Sequence, residues 1–229
     1  MSKFNQNVFN DFIKDNNVYG FFNNSITLAS GRQSFFYANW RNVVEDVFLT
    51  NKLANFILDF VDDLGIKVDT FYGIPDGATK IGIITQNNYA LKSLNYKKGS
   101  HCLSMGRKQP KSHGAVRDRF FVGAPKGRTM VLEDVTTTGD SAFKNVLSMS
   151  EAGIEIAGVI SLTNRMQKTL DGSSVSEMFN QKGFNFYSMS TSTEMLPIIY
   201  DYKVYGDALL RNINQEFDQY GVSSLNLVK

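Results

Sequence analysis

The sequence has little of the chemistry that builds disulfides or zinc sites. It contains one cysteine, Cys102, and two histidines, His101 and His113, in 229 residues. A single cysteine excludes an internal disulfide and a multi-cysteine metal site. With only two histidines in addition to this cysteine, a zinc site is also disfavoured. We interpret Cys102 as a small buried apolar residue in a strand.

Long apolar runs and a large net charge are also lacking. No run approaches the ~20 apolar residues of a membrane span, and residues 1–7 contain no apolar stretch of signal-peptide length. The 24 basic and 22 acidic residues leave a formal net charge of +2, too small to imply a nucleic-acid partner. We therefore expect a soluble, cytoplasmic protein with no nucleic-acid or membrane partner, in which any basic site is local.

Apolar residues follow helical and strand spacing in alternation along the chain. Helices are predicted over residues 4–17, 46–61, 78–90, 142–152 and 208–217, and strands over 26–28, 34–40, 68–74, 101–105, 129–135, 154–162 and 184–189. This order predicts an α/β fold with a central, mostly parallel sheet flanked by helices. We expect a single domain over residues 1–229, with a helix and a hairpin within residues 1–45 forming an N-terminal hood.

Residues 129–141 carry the most informative chemistry. An apolar strand ends in two adjacent carboxylates, Glu133 and Asp134, and a loop rich in hydroxyls and glycine follows before the next helix. Backbone N–H groups and the positive end of the helix dipole at such a loop favour a phosphate. The carboxylates either hold magnesium directly or accept hydrogen bonds from the hydroxyls of a sugar attached to that phosphate.

Two further features lie at the ends of predicted strands, where parallel α/β sheets bind their ligands. The turn 73–79 contains two glycines and a proline, and is either a second anion-binding nest or a plain strand-to-helix turn. Arg165 is either a solvated surface cation or a bidentate clamp for a planar carboxylate.

Residues 106–128 form a connection too long for an ordinary loop. Between residues 107 and 128 it carries the single acid Asp118 and seven basic residues: Arg107, Lys108, Lys111, Arg117, Arg119, Lys126 and Arg128. A concentrated positive segment in a nearly neutral protein predicts a mobile lid for a polyanionic substrate. The alternative is a solvated basic flap or a loose nucleic-acid contact.

Two nucleotide-binding classes lack their motifs. There is no Gly-x-x-x-x-Gly-Lys-Ser/Thr loop of a P-loop triphosphatase, and no Gly-x-Gly-x-x-Gly follows a strand as in a dinucleotide-binding dehydrogenase. What remains is a sugar phosphate that carries additional negative charge.

Several segments resemble one known family. Residues 131–141 resemble the phosphoribosyl pyrophosphate signature of the type I phosphoribosyltransferases. Residues 107–114, Arg-Lys-Gln-Pro-Lys-Ser-His-Gly, resemble the mobile loop of the orotate phosphoribosyltransferases and are the more discriminating motif. Residues 30–34 followed by Tyr37 resemble the hairpin of that family, and Arg165 falls where it carries its orotate arginine.

The resemblance runs in order from about residue 20 to 170, and the last sixty residues match only in general architecture. It implies that orotate N1 attacks the anomeric carbon of phosphoribosyl pyrophosphate (PRPP), with magnesium, to give orotidine 5'-monophosphate and pyrophosphate. Charge develops on the ribose and on the leaving group, so catalysis is expected from electrostatic stabilisation and positioning. It also implies a homodimer in which loop 107–127 reaches the neighbouring subunit's site, so an isolated protomer should be inactive.

The resemblance further implies the role of each site residue. The 5'-phosphate binds to the loop formed by Thr136, Thr137, Thr138, Gly139, Asp140 and Ser141. The pyrophosphate is covered by the lid residues Arg107, Lys108, Lys111 and His113. Glu133 and Asp134 hold the ribose hydroxyls, and magnesium is carried by PRPP without a direct protein ligand. Orotate contacts Thr137 and Arg165, and the catalytic residues are Lys111 and Asp134.

The chain departs from the family pattern at four places. Ala29 replaces a lysine that many members carry before the hairpin turn, so no orotate contact is assigned there. Asp76 and Gly77 replace the aromatic-lysine pair of the pyrophosphate turn. Gln109 replaces a glutamate and Ser112 an aspartate, which leaves the lid more basic.

Two other functions use the same fold. A PRPP-sensing regulator usually adds a nucleic-acid-binding surface, and the small net charge and the lack of a winged-helix segment argue against it. A purine phosphoribosyltransferase would bind a different base, and the lid motif and Arg165 argue against that function.

Overall fold

The computed structural model describes residues 3–109, 111–113 and 116–228, without the side chains of residues 116 and 117. These residues form nine helices and eight strands. In chain order they are α1 (Gln6–Asp15), β1 (Tyr19–Thr27), β2 (Gln33–Ala38), α2 (Arg41–Val44), α3 (Val47–Asp63), β3 (Thr70–Gly73), α4 (Thr79–Lys92), β4 (Met105–Gly106), α5 (Val116–Phe120), β5 (Phe121–Val122), β6 (Thr129–Thr136), α6 (Asp140–Glu151), β7 (Ile156–Asn164), α7 (Val175–Asn180), β8 (Phe186–Ser188), α8 (Ser192–Ile199) and α9 (Tyr202–Tyr220).

Four parallel strands form the central sheet in the order β3-β6-β7-β8. Leu132 of β6 lies opposite Gly73 of β3 and Ile160 of β7. Strand β6 is buried on both faces, because Met130 and Leu132 pack with α1 and α3 while Val131 packs with α6 and α7. The predicted α/β fold with a mostly parallel sheet is therefore confirmed.

The helices begin where polar side chains satisfy their first backbone N–H groups. Asp46 caps α3 by accepting a hydrogen bond from Leu49 N at 2.8 Å, so the helix predicted over residues 46–61 is confirmed. Asn5 caps α1 in the same way, by accepting from Val8 N at 3.2 Å. Among the described residues, no helix combines the length and the apolar content that crossing a membrane requires.

The strand predicted over residues 101–105 is wrong except at its last residue. Only β4 forms there, and it pairs antiparallel with β5 outside the central sheet. Gln86 of α4 explains the difference, because its side chain lies between β3 and this segment. Gln86 Oε1 accepts from Phe71 N at 2.8 Å, and Gln86 Nε2 donates to Cys102 O at 2.8 Å. The edge of β3 is thus satisfied by an amide side chain instead of a fifth strand, and Cys102 lies half-buried in no strand.

The hood packs against the last helix of the chain. The predicted helix and hairpin are present as α1 and as the antiparallel pair β1–β2. The ring of Phe36 in β2 stacks on Phe217 of α9 with 6.0 Å between centroids, and Leu209 and Ile213 complete this cluster. The C-terminal segment, which the sequence left without a role, covers the hairpin.

The connection 106–128 contains secondary structure that the sequence did not predict. Helix α5 and the β4–β5 pair lie within it, and Lys111 N donates to Arg119 O at 3.0 Å. The motif residues Pro110 and Gly114 lie outside the described residues. The mobility of this segment stays a prediction.

The closest approach of β3 and α4 yields a test of the fold. A Cβ at Gly82 would lie 2.2 Å from Gly73 N, a backbone atom that cannot turn away. We expect Gly82→Ala to lower the free energy of unfolding by about 1–3 kcal/mol, measured by urea denaturation. Helix propensity alone predicts the opposite sign.

The matched control is Gly20→Ala in β1, where a Cβ would meet only Phe22 Cζ at 3.9 Å. That variant should stay within about 0.5 kcal/mol of the unsubstituted protein. A stabilised Gly82→Ala protein would contradict this packing of β3 on α4.

Candidate active site

A crevice of about 330 Å³ opens at the carboxyl end of β6. Glu133, Val135 and the loop 136–141 line one side of it, and Ala29 and Ser30 of the hairpin turn also border it. The predicted phosphate loop and the predicted hairpin therefore meet at one cavity.

Gly139 gives the phosphate loop an open helix N-terminus. It is the N-cap residue of α6, with φ of 78° in the left-handed region, and it supplies no side-chain cap. A Cβ there would lie 2.8 Å from Met178 Cε and 2.9 Å from Val175 Cγ1 of α7, so both conformation and space require glycine. An uncapped helix N-terminus beside a cavity is a ready anion-binding site.

The hydroxyls of the loop divide into two groups. Thr136 Oγ1 donates to Ser161 Oγ at 2.9 Å, and Thr138 Oγ1 donates to Asp140 Oδ2 at 2.7 Å. Within the part of the chain that the structure describes, the hydroxyls of Thr137 and Ser141 have no such partner and remain available to a ligand.

The two carboxylates at the end of β6 are held in an unfavourable environment for charge. Burial raises the pKa of Glu133 well above its usual value, and the negative charge of Asp134 raises it further. Burial also raises the pKa of Asp134, while backbone N–H groups and Arg41 oppose that rise. Glu133 borders the crevice, and a carboxyl group with a raised pKa at a cavity is typical of a functional site.

The turn 73–79 packs directly on Asp134. A Cβ at Gly77 would lie 2.4 Å from Asp134 Oδ2, so only glycine leaves room for this carboxylate. The close approach of Asp134 therefore accounts for the glycine at position 77, and the two interpretations of this turn, an anion-binding nest or a plain strand-to-helix turn, both stay open.

The donor set suits magnesium only in company with a substrate. Among the described residues, no group of three or more Asp, Glu, His or Cys side chains is placed to hold a metal ion. Magnesium in phosphate-handling enzymes typically takes one or two carboxylates together with waters and substrate phosphates. Of the two carboxylates, Glu133 borders the crevice and Asp134 does not, so a magnesium ion there would depend on substrate phosphates and water for most of its ligands.

The lid residues lie at three different places. Lys108 Nζ forms an ion pair with Asp76 Oδ2 of the turn 73–79 at 2.6 Å, and both side chains are exposed. Arg107 borders a second, smaller crevice beside α6. Lys111 and His113 are exposed and do not border the 330 Å³ crevice. The structure thus brings Lys108 of this segment to the turn 73–79, but not Lys111 to the crevice.

Arg165 forms a buried ion pair with Glu216. Its Nη2 lies 2.9 Å from Glu216 Oε1 and 2.7 Å from Ser34 Oγ, and Nη1 donates to Phe36 O at 3.2 Å. Burial lowers the pKa of Arg165, and the charge of Glu216 opposes that shift. Nε is buried and has no partner among the described residues. Three of the five N–H donors of the guanidinium are therefore committed, and Arg165 does not border the crevice.

The sequence did not indicate Glu216 as a residue near the candidate site. Four donors converge on its carboxylate, from Arg165, Gln167, Ser34 and the backbone of Phe35. The sequence does contain one indication that Glu216 is buried, because it falls at helical spacing after Ile213 on the apolar face of α9. An acid on such a face requires buried partners.

No family model matches the chain, but similar proteins share one name. The orotate phosphoribosyltransferase of Rhodopseudomonas palustris (strain TIE-1) is 35% identical over 182 residues, which cover 76% of this chain and 88% of that protein. The orotate phosphoribosyltransferase of Clostridium acetobutylicum is 28% identical over 228 residues, which cover 93% and 96%. The second similarity extends over nearly the whole chain.

Solved structures show the same fold. The orotate phosphoribosyltransferase of Francisella tularensis matches with a TM-score of 0.65 at 20% identity, covering 93% of this chain and 99% of that one. The Mycobacterium tuberculosis orotate phosphoribosyltransferase, in complex with PRPP, matches with a TM-score of 0.56 at 17% identity, covering 83% and 98%. At these identities the likeness establishes the architecture.

The raised pKa of Glu133 predicts a pH-dependent effect of removing its charge. A carboxyl group whose pKa is higher in the fold than in the unfolded chain binds a proton on folding. The free energy of unfolding therefore falls as pH rises from about 4.3 through the raised pKa. We expect Glu133→Gln to stabilise the protein at pH 8 by roughly 0.5–2 kcal/mol and to show no gain near pH 4, measured by urea denaturation.

Exposed Glu45 provides the control, and Glu45→Gln should give no such pH-dependent gain. If Glu133→Gln and the unsubstituted protein had the same free energy of unfolding at pH 8, the pKa of Glu133 would not be raised in the folded protein.

Proposed function

The chain belongs to the orotate phosphoribosyltransferase family, and from that membership we propose how its residues transfer phosphoribose from PRPP to orotate. Orotate N1 would attack the anomeric carbon of PRPP, giving orotidine 5'-monophosphate and pyrophosphate in pyrimidine synthesis. The observation that carries the proposal is the crevice where Glu133, the loop 136–141 and the hairpin turn at Ser30 meet.

The phosphoribose half of the substrate fits the end of β6. The 5'-phosphate would bind the uncapped N-terminus of α6 and the free hydroxyls of Thr137 and Ser141. The ribose hydroxyls would donate to Glu133 and Asp134, which regain in these hydrogen bonds part of the solvation that burial removes. Magnesium, when bound with PRPP, would neutralise part of the charge on the pyrophosphate.

The pyrophosphate half requires cations from the lid. As the bond to pyrophosphate breaks, negative charge grows on the leaving group, and a preorganised cation stabilises it. We assign this role to Lys111, with Arg107, Lys108 and His113 closing over the pyrophosphate. The ion pair of Lys108 with Asp76 supports the assignment, because it brings a lid cation to the turn where the family lysine is replaced.

Orotate would be recognised by Thr137 and by the remaining donors of Arg165. Nε of Arg165 has no partner, and the chemistry of guanidinium leaves one further hydrogen on Nη1. A carboxylate that meets these donors would satisfy a buried polar atom, and an analogue without the carboxylate would leave it unpaired.

We propose a homodimer in which loop 107–127 serves the partner's site. Lys111 and His113 are exposed and lie away from the crevice of their own chain, which leaves them available to a neighbouring site. A cytoplasmic location, expected from the sequence, stays a prediction.

Orotate consumption tests the function and the role of Lys111 together. The protein with orotate, PRPP and magnesium should deplete orotate absorbance. Lys111→Ala should lower kcat by at least ~100-fold, the usual effect of losing one transition-state donor, while orotidine 5'-monophosphate still binds. Lys98→Ala, at an exposed lysine outside the connection 106–128, is the control and should keep full turnover.

The absence of any orotate depletion at high protein concentration would defeat the proposed function. Full turnover by Lys111→Ala, with orotate depletion intact, would defeat only the role assigned to the lid.

Mixing two inactive variants tests whether the lid is shared. In a heterodimer of Lys111→Ala and Asp134→Asn protomers, a lid acting across the interface restores one complete site, whereas a lid acting within its own chain restores none. Random reassortment should therefore recover roughly a quarter of the original activity, measured after unfolding and refolding the variants together. Activity no higher than that of the separate variants would place the lid in its own subunit.

A further inference from the structure

We infer that Glu216 of the C-terminal helix is a positioning residue for the base-binding half of the site. It joins Arg165 to the hairpin strand β2 in one hydrogen-bonded unit. The inference rests on the proposed function, because that function assigns orotate recognition to Arg165.

Glu216 is a buried acid on an otherwise apolar face of α9. The side chains of Glu216 and Arg165 are 2% and 1% exposed, and the other inward-facing residues of α9 are apolar: Leu209, Leu210, Ile213 and Phe217. A buried ion pair often contributes no more stability than apolar side chains of the same volume. A requirement for defined geometry therefore explains the acid at this position better than stability does.

Each oxygen of the Glu216 carboxylate contacts a different part of the site. Oε1 accepts from Arg165 Nη2 at 2.9 Å and from Gln167 Nε2 at 2.8 Å, both just beyond the end of β7. Oε2 accepts from Ser34 Oγ at 3.0 Å and from Phe35 N at 3.1 Å, both in β2. One carboxylate thus fixes the hairpin relative to the end of the central sheet.

These contacts fix the orientation of the two donors of Arg165 that remain, which are Nε and the second hydrogen of Nη1. Both hydrogens of Arg165 Nη2 are used, one towards Glu216 and one towards Ser34. The guanidinium also lies 3.9 Å from the centroid of the Phe36 ring. With its plane and one end held, Arg165 presents Nε in one direction only, and Glu216 is the anionic partner that holds it there.

The phosphoribose half of the site is positioned independently of Glu216. Arg165 reaches the phosphate loop through the backbone, where its N–H donates to Thr136 O at 2.9 Å. Among the described residues, the hydrogen-bond partners of Glu216 are Ser34, Phe35, Arg165 and Gln167, and they do not include Glu133, Asp134 or the N-terminus of α6. Removing the carboxylate should therefore weaken the binding of the base and leave the binding of PRPP intact.

The test compares Glu216→Gln with Asp218→Asn, a charge removal at an exposed position of the same helix. Glutamine keeps the shape of Glu216 but replaces one acceptor oxygen by a donor, which two of the four donors must then face. We expect the KM for orotate to rise by about tenfold or more and the KM for PRPP to stay within about twofold. Asp218→Asn should change neither constant.

Ser34→Ala is the second variant, for the case that Glu216→Gln does not fold. It removes one of the four donors to Glu216 and the acceptor for one hydrogen of Arg165 Nη2, and it leaves the ion pair in place. It should raise the KM for orotate by about threefold without changing the KM for PRPP. The inference is overturned if both Michaelis constants are unchanged, or if both rise together with a fall in thermal stability. A wild-type protein without orotate turnover would instead overturn the proposed function.

Discussion

The parallel pairing of β6 with β7 determines where the functional groups of this protein lie. Because the two strands run in the same direction, Thr136 and Asn164 stand opposite each other where the strands end, and the next residue, Arg165, donates its backbone N–H to Thr136 O. The phosphate loop leaves the sheet at one strand and the buried arginine at the next. The hairpin β1–β2 and helix α9 then close over this edge.

The charged groups of the free protein suit the proposed ligand, which is strongly anionic at one end. Glu133 at the crevice and the adjacent Asp134 carry raised pKa values, whereas Lys111 and His113 are exposed on the connection 106–128. The ribose hydroxyls of the substrate would donate hydrogen bonds to the two carboxylates, and its phosphates would bind the basic residues of the connection. Binding energy would then compensate for charges that destabilise the empty site, as expected where activity and stability compete.

Features that depend on neighbours in sequence could be predicted, and those that depend on distant side chains could not. The strand, carboxylates, loop and helix start within residues 129–141 follow from local pattern, and the structure places them as expected. Gln86 replaces a predicted strand by bonding across to Phe71 and Cys102. Glu216 meets Ser34 across 182 residues of sequence, and no local pattern indicates that pairing.

In the proposed function, two independently positioned halves of the site select phosphoribose and an acidic pyrimidine. The most direct test is a base-specificity panel, in which kcat/KM is measured with PRPP and orotate, uracil, adenine or hypoxanthine. If Arg165 pairs with the carboxylate of orotate, as proposed, orotate should be preferred over uracil by roughly 10⁴-fold, and the purines should not react. Comparable rates with uracil or a purine would contradict the assignment of Arg165 and the hairpin to the base.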